Sequence, residues 1–279
     1  ARGRMLCRAA SPVALVLCSR ALKDRVLSCD VAAPPDPRVS SWDRDWDRDW
    51  DGRQEEYLER IKAIKATDDK RRTRTKEAAS VKRLWLIRHG QYHTEADQAE
   101  DKRLTDLGHD QAALVAKRLV ALNASLPADQ QVTDLHHSTM IRAVETARAI
   151  SKTLPAGVSI HESAALCEGK PCVPVPGSGR SWEKDEELLA REGARIEGAY
   201  RSLFMRPDLH QDQTVVVVAH ANVIRYFVCR ALQLPPEAWL RMSLPHCSIT
   251  EVTIRSSGNV SLRCLGDAGF IPADMRTTS

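Results

Sequence analysis

The chain has 279 residues, 43% of them apolar, with 13 glycines and 14 prolines, which suits one globular domain of about 200 residues plus an extension. The net charge of +4 is unevenly placed. Residues 1–83 hold 20 basic against 14 acidic side chains (+6), and residues 84–279 hold 21 against 23 (−2), which excludes a broad nucleic-acid-binding surface on the second part. Eight cysteines (Cys7, Cys18, Cys29, Cys167, Cys172, Cys229, Cys247 and Cys264) include no C-x-x-C pair. That argues against a zinc site of the usual spacing and, in a domain this long, against a disulfide scaffold; reduced cysteines packed as small apolar residues are expected.

In chain order, the start carries Arg2, Arg4, Arg8, Arg20 and Lys23, with no Asp or Glu before Asp24. This resembles an organelle transit peptide, with a signal-peptide core or a disordered leader as the alternatives. The uncharged stretch Ala9–Ser19 is too short to span a bilayer as a helix, which leaves a membrane anchor open. Residues 30–41, with Pro34, Pro35 and Pro37, read as a linker. Next comes a repeat of Trp-Asp pairs: Trp42-Asp43, Trp46-Asp47 and Trp50-Asp51. Indoles four residues apart share a helix face, and aromatic anchors of this kind are what interfaces use; the alternative is a charge-balanced, solvated low-complexity spacer. Residues 53–83 are charged and read as a solvated helix or tether.

From residue 84 the pattern alternates strand and helix. Leu84-Trp85-Leu86-Ile87 reads as a buried strand, with Arg88-His89-Gly90 directly behind it. Thr105 to Asn123 reads as a helix with Thr105 as its N-cap and Leu107, Leu114, Val115, Leu119 and Leu122 near one face. Val132–His137 is a short strand, Arg142–Leu154 a helix and Lys184–Met205 a longer one. Thr214–Ala219, with four consecutive valines, suggests a strand buried on both faces, followed by a helix over Ala221–Gln233. Ser248–Arg255 and Asn259–Leu265 read as a terminal hairpin. The expected fold is a three-layer α/β/α sandwich with a mostly parallel central sheet.

Polar residues cluster at the expected strand ends. Arg88 and His89 follow the first strand, Ser138 ends the second, Arg142 opens the next helix, and His220 ends the valine strand. Ligands of open α/β sheets bind beyond these ends. Two arginines and two histidines converging there describe a site for a dianionic tetrahedral group, because guanidinium forks match phosphate oxygens and helix N-termini add N–H donors.

These residues, with Leu104-Thr105-x-x-Gly108-x-x-Gln111-Ala112, Ser138-x-x-x-Arg142-Ala143-x-x-Thr146-Ala147 and Ala219-His220, resemble the histidine phosphatase (phosphoglycerate-mutase-like) superfamily over roughly residues 83–266. His220-Ala221-Asn222-Val223-Ile224-Arg225-Tyr226, the 235–241 segment Pro-Pro-Glu-Ala-Trp-Leu-Arg and the ending 265–272 are similar to its mitochondrial serine/threonine protein phosphatase branch. The resemblance implies a domain over 84–279 preceded by a leader (1–41) and an assembly segment (42–83). It implies a phosphohistidine on His89, equatorial oxygens held by Arg88, Arg142 and His220, and an acid/base carboxylate at Glu168. Ser138 and Asn222 would touch the phosphate. No metal or other cofactor is implied.

Phosphoserine and phosphothreonine proteins would be the substrates, and the Trp-Asp segment would drive dimers or higher oligomers. In that branch the segment reads Trp-Asp-x-Asn-Trp-Asp; here Asp45 and Asp49 replace the Asn and a third Trp-Asp is added. The competing expectations are a small-molecule phosphatase or phosphoglycerate-type mutase, and an oligomeric scaffold. His93, His109, His136, His137, His161, His210 and His246 belong to no motif and read as structural or exposed.

Overall fold

The computed structural model describes residues 50–67, 80–96, 98 and 101–278, all within one compact unit, Arg44–Ser279. The leader, the linker, and Trp42, Asp43, Trp46 and Asp47 lie outside the described residues.

Helix α1 spans Gln54–Thr67 and strand β1 spans Val81–Arg88. They are followed by α2 (Asp106–Ala124), β2 (Val132–Ser138), α3 (Ile141–Ser151), β3 (Ser159–Ser163), α4 (Glu186–Leu203), β4 (Gln213–Ala219), α5 (Ala221–Ala231), β5 (Ile249–Arg255) and β6 (Val260–Asp267). One six-stranded sheet has the order β3-β2-β4-β1-β5-β6. The first four strands in that order run parallel, and the β5–β6 hairpin joins antiparallel to β1. The mostly parallel sandwich expected from the sequence is therefore what the chain forms.

β1 and β4 read as unbroken apolar runs because both sheet faces are covered. Leu84, Leu86, Val215 and Val217 point to one face, under Ile196, Ala199 and Tyr200 of α4 and Ile224 and Phe227 of α5. Trp85, Ile87, Val216 and Val218 point to the other, under Val115 and Leu119 of α2 and Ala143 and Ile150 of α3. Thr105 caps α2 as expected, its Oγ1 accepting from the Gly108 amide at 3.0 Å. The expected helix over Lys184–Met205 forms as the continuous α4, starting two residues later. Ser181–Lys184 forms a 3₁₀ turn, and α4 starts afresh because the Asp185 carboxylate accepts from the Leu188 amide at 2.9 Å, a side-chain cap that fixes a new helix start.

The amino end of the charged segment is docked on the domain rather than free in solvent. The Trp50 indole donates to the Gly258 carbonyl at 2.9 Å and packs against the core face under α4 and α5. Arg206 Nε donates to the Asp51 carboxylate at 2.8 Å, and their side chains are only 2% and 1% exposed. Among the described residues no helix is long and apolar enough to cross a membrane.

Candidate active site

β1 and β4 are parallel neighbours, with Arg88 opposite Ala219, so Arg88-His89 and His220 leave the sheet side by side. After β1 the chain crosses to the face covered by α2, and after β4 to the face covered by α5. Between two such strands the loops diverge and leave a crevice, the topological switch point of an open α/β sheet. β2, on the far side of β4, adds Ser138 to the same edge, and Arg142 stands in the first turn of α3.

The hydrogen bonds of His89 define its tautomer. Nδ1 lies 2.8 Å from the Gly90 carbonyl, which can only accept, so Nδ1 carries the proton. Arg142 Nε donates to His89 Nε2 at 3.2 Å, so Nε2 presents a lone pair. Burial, followed by the neighbouring His220 ring and the charges of Arg142 and Arg88, holds the His89 pKa well below its ordinary value and keeps the ring neutral at pH 7. A neutral imidazole whose Nε2 carries a lone pair is a nucleophile once the Arg142 donor moves off it.

Around it stand cations with donors to spare. Arg142 is buried, its guanidinium 4.5 Å from the centre of the Tyr92 ring. Arg88 Nη1 donates to the carbonyls of Leu244 (2.6 Å) and Thr278 (2.5 Å). Burial lowers its pKa to about 10, which leaves it charged at neutral pH. The His220 ring is centred 5.0 Å from His89, with Nε2 2.8 Å from Ser138 Oγ, and burial keeps it neutral as well. Arg88 Nε, Arg142 Nη1, His220 Nδ1 and His246 Nε2 are all buried with no hydrogen-bond partner among the described residues. Each orphaned group costs about 1–3 kcal/mol, so two guanidinium donors and two imidazole nitrogens left open around one histidine mark a polar ligand site, and the arginines suit it to an anion.

Glu168 follows a short 3₁₀ turn at Ala164–Leu166. Burial raises its pKa, partly offset by the Gly169 amide and by Arg142 and Arg88, so it holds its proton to higher pH than an exposed glutamate. Its loop is braced from two sides. Arg195 donates to the Cys167 carbonyl at 2.8 Å, and Asn222 Nδ2 donates to the Gly169 carbonyl at 3.0 Å. Asn222 Oδ1 also accepts from Arg225, so the Asn222 amide here supports the glutamate loop, while the Ser138 hydroxyl is engaged with His220.

Two backbones fix the loop behind the histidine. A Cβ on Gly90 would stand 2.6 Å from the Gly108 carbonyl oxygen, and one on Gly108 would stand 2.0 Å from that of Gln91. The Gly90 amide donates to Thr146 Oγ1 at 3.1 Å.

Sequence reasoning missed two members of the cluster. His246, read there as structural or exposed, is buried with its ring 5.5 Å from His89, and its Nδ1 lies 2.8 Å from Thr277 Oγ1. Tyr92 meets His89 edge-on at 5.1 Å. Tyr92 follows the Arg-His-Gly motif by two residues, a proximity that could have pointed to it but was not used; no comparable signal attached to His246. Trp50 and Asp51 stand apart from this cluster, on the domain surface where α1 begins.

Residues 84–170 and 178–266 match the family model described as "Histidine phosphatase superfamily (branch 1)". The chain is 44% identical over 199 residues to "Serine/threonine-protein phosphatase Pgam5, mitochondrial" of Caenorhabditis elegans, covering 71% of this chain and 66% of that protein. It is 42% identical over 205 residues to the Mus musculus protein of that name, covering 73% and 68%. The chain thus matches about two thirds of the length of these relatives. Among solved structures, Bacillus stearothermophilus YhfR shares the fold with a TM-score of 0.51 at 21% identity, covering 68% of this chain and all of that one.

Proposed function

This chain belongs to the histidine phosphatase superfamily, and from that membership we propose that it is a metal-independent protein serine/threonine phosphatase working through a phosphohistidine on His89. The observation that carries the reading is the His89 Nε2 lone pair surrounded by four unpartnered buried polar atoms.

In the first step His89 Nε2 attacks phosphorus, the N–P bond forms and the bond to the seryl or threonyl oxygen breaks. Glu168 delivers its proton to the departing oxygen. Arg88, Arg142 and His220 hold the equatorial oxygens, which is most of what phosphoryl transfer asks of a protein. In the second step water attacks phosphorus, Glu168 takes its proton, the N–P bond breaks and neutral His89 is restored with inorganic phosphate released. Ser138 acts by orienting His220. Asn222 touches phosphate only if its amide leaves Gly169.

The relatives' names and the acid-poor, arginine-bearing start support a mitochondrial location. Self-association through the Trp-Asp segment stands as part of the proposal, with Trp50 and Asp51 anchoring that segment to the domain. Equal sedimentation of the intact chain and a Trp42→Ala/Trp46→Ala variant overturns it.

The decisive assay compares phosphate release from phosphoserine, phosphothreonine and phosphotyrosine peptides with turnover of 3-phosphoglycerate, beside a His89→Ala control. Turnover of phosphoglycerate alone overturns the function, and full activity of His89→Ala overturns the mechanism.

A further inference from the structure

We propose that Asp134, His136 and His161 form a second site, separate from the phosphatase centre, that binds a borderline divalent transition cation of the Zn²⁺ class. Asp134 and His136 lie on one face of β2 by the two-residue period of a strand, and His136 is the direct register partner of His161 on β3. The ligand atoms of the three side chains all lie within 4.8 Å of one another. A tetrahedral ion with bonds of about 2.0–2.2 Å holds its ligands about 3.4 Å apart, so rotations of these side chains close the set. His161, whose side chain is 47% exposed at the sheet edge, is free to make one.

The placement of these groups is the second observation. They share the sheet face of Val215 and Val217, which β2 continues by pairing Asp134 with Val215 and His136 with Val217. That face is otherwise apolar under α4. Here it gives way to a cavity of about 260 Å³ lined by Lys82, Asp134, His136, His161, Gln213 and Ser202 among others. The three ligand side chains are half-buried to exposed at its rim, so an ion can reach them from solvent. The rest of the arrangement suits ligation. Thr133 Oγ1 and Gln213 Nε2 donate to Asp134 Oδ2 at 2.7 and 3.4 Å, which orients the carboxylate and leaves Oδ1 toward His161 Nε2 at 3.1 Å. A metal would take the place of the proton shared in that last contact. The His136 and His161 rings stack at 4.5 Å.

The donor set selects the ion. Two imidazoles and one carboxylate oxygen are too few hard oxygens for Ca²⁺ or Mg²⁺, and no thiolate is present to favour Cu⁺. Three protein ligands leave one position, facing the cavity, for water or a small anion.

The test is Zn²⁺ binding to the full chain in competition with a chromophoric chelator, for the wild type and for His161→Ala, Asp134→Asn and His89→Ala. One equivalent is expected in the wild type and in His89→Ala, with affinity lowered tenfold or more in the other two. Zn²⁺ should raise the melting temperature only where it binds, and circular dichroism checks that each variant is folded. Co²⁺ substituted into the wild type should show d–d bands without a thiolate charge-transfer band. Unchanged binding in both His161→Ala and Asp134→Asn, loss in His89→Ala, or a thiolate band overturns the site. Unchanged binding in the His161 and Asp134 variants overturns the second site alone, whereas loss in His89→Ala would place the ion at the phosphatase centre; the peptide assay tests the phosphatase reading separately.

Discussion

Arg142 Nε donates to His89 Nε2 across 3.2 Å, so the cation proposed to clamp the phosphate sits on the lone pair proposed to attack it. The guanidinium has to slide toward the substrate oxygens before the nitrogen is free, which couples phosphate binding to release of the nucleophile. Arg142→Ala frees Nε2 but removes the charge that stabilises the transition state. The expected outcome is a fall in kcat of about 10²–10³-fold, with Arg142→Lys recovering little because a point charge replaces a planar fork. Single-turnover trapping of the phosphohistidine checks this: slower formation is expected, and unchanged formation contradicts it.

The C-terminal tail reaches the site. Arg88 Nη1 donates to the Thr278 carbonyl, the His246 amide donates to the Thr277 carbonyl at 2.8 Å, and Gln111 Nε2 donates to Thr277 Oγ1 at 2.9 Å. Truncation before Thr277 therefore loosens Arg88 and His246 together. KM should rise about tenfold or more, while the melting temperature, set by the two core faces, changes little. A truncated enzyme with wild-type KM refutes the role.

The pH dependence of stability has a definite sign. The folded pKa values of His89 and His220 are held well below 6.5, and that of His246 falls to about 3. Below pH 6.5 the unfolded chain binds protons at these rings that the folded chain refuses, so stability present above 6.5 is lost as pH falls below it. Glu168 acts in the opposite sense above its unfolded value of 4.5, but it is one group against three. Urea titrations at pH 7.5 and 5.5 should give a lower midpoint at 5.5, and His246→Asn should shrink the difference. In turnover, Glu168 as the proton donor creates an alkaline limb that Glu168→Gln should abolish from whatever activity remains.

The Asp51–Arg206 pair anchors the start of α1. Removing one partner leaves the other charge buried, which costs about 3–5 kcal/mol. Asp51→Asn should lower the melting temperature by several degrees more than the double variant Asp51→Leu/Arg206→Met, in which both charges go. Similar melting temperatures for the two variants contradict the pair's role.

Where an element is apolar on both faces or carries a cap, its sequence declares it. The valine run of β4, the Thr105 cap and the arginine of α3 were legible for that reason. β3 was not, because Ser159–Ser163 contains a single apolar side chain, Ile160, and that one is 56% exposed. Such an edge strand is defined by its partner, not by its own pattern. His246 was hidden for another reason. It sits in a loop before β5, and only tertiary packing brings it against His89. The same applies to the docking of Trp50 and Asp51, which rests on Gly258 and Arg206, each more than 150 residues away.

The mutual approach of Gly90 and Gly108 makes the position of the nucleophile a property of two main chains and of no side chain. Damage there takes an unusual form. An alanine at either position pushes backbone against backbone, and the easiest relief is a displacement of the adjoining His89 loop by a fraction of an ångström to an ångström, leaving the two core faces in place. A variant of this kind would pass every assay of folding and still be a slow enzyme, since misplacement of about 1 Å can cost on the order of 10²-fold in rate. Natural variation at these two glycines would therefore register as lost activity in an abundant protein.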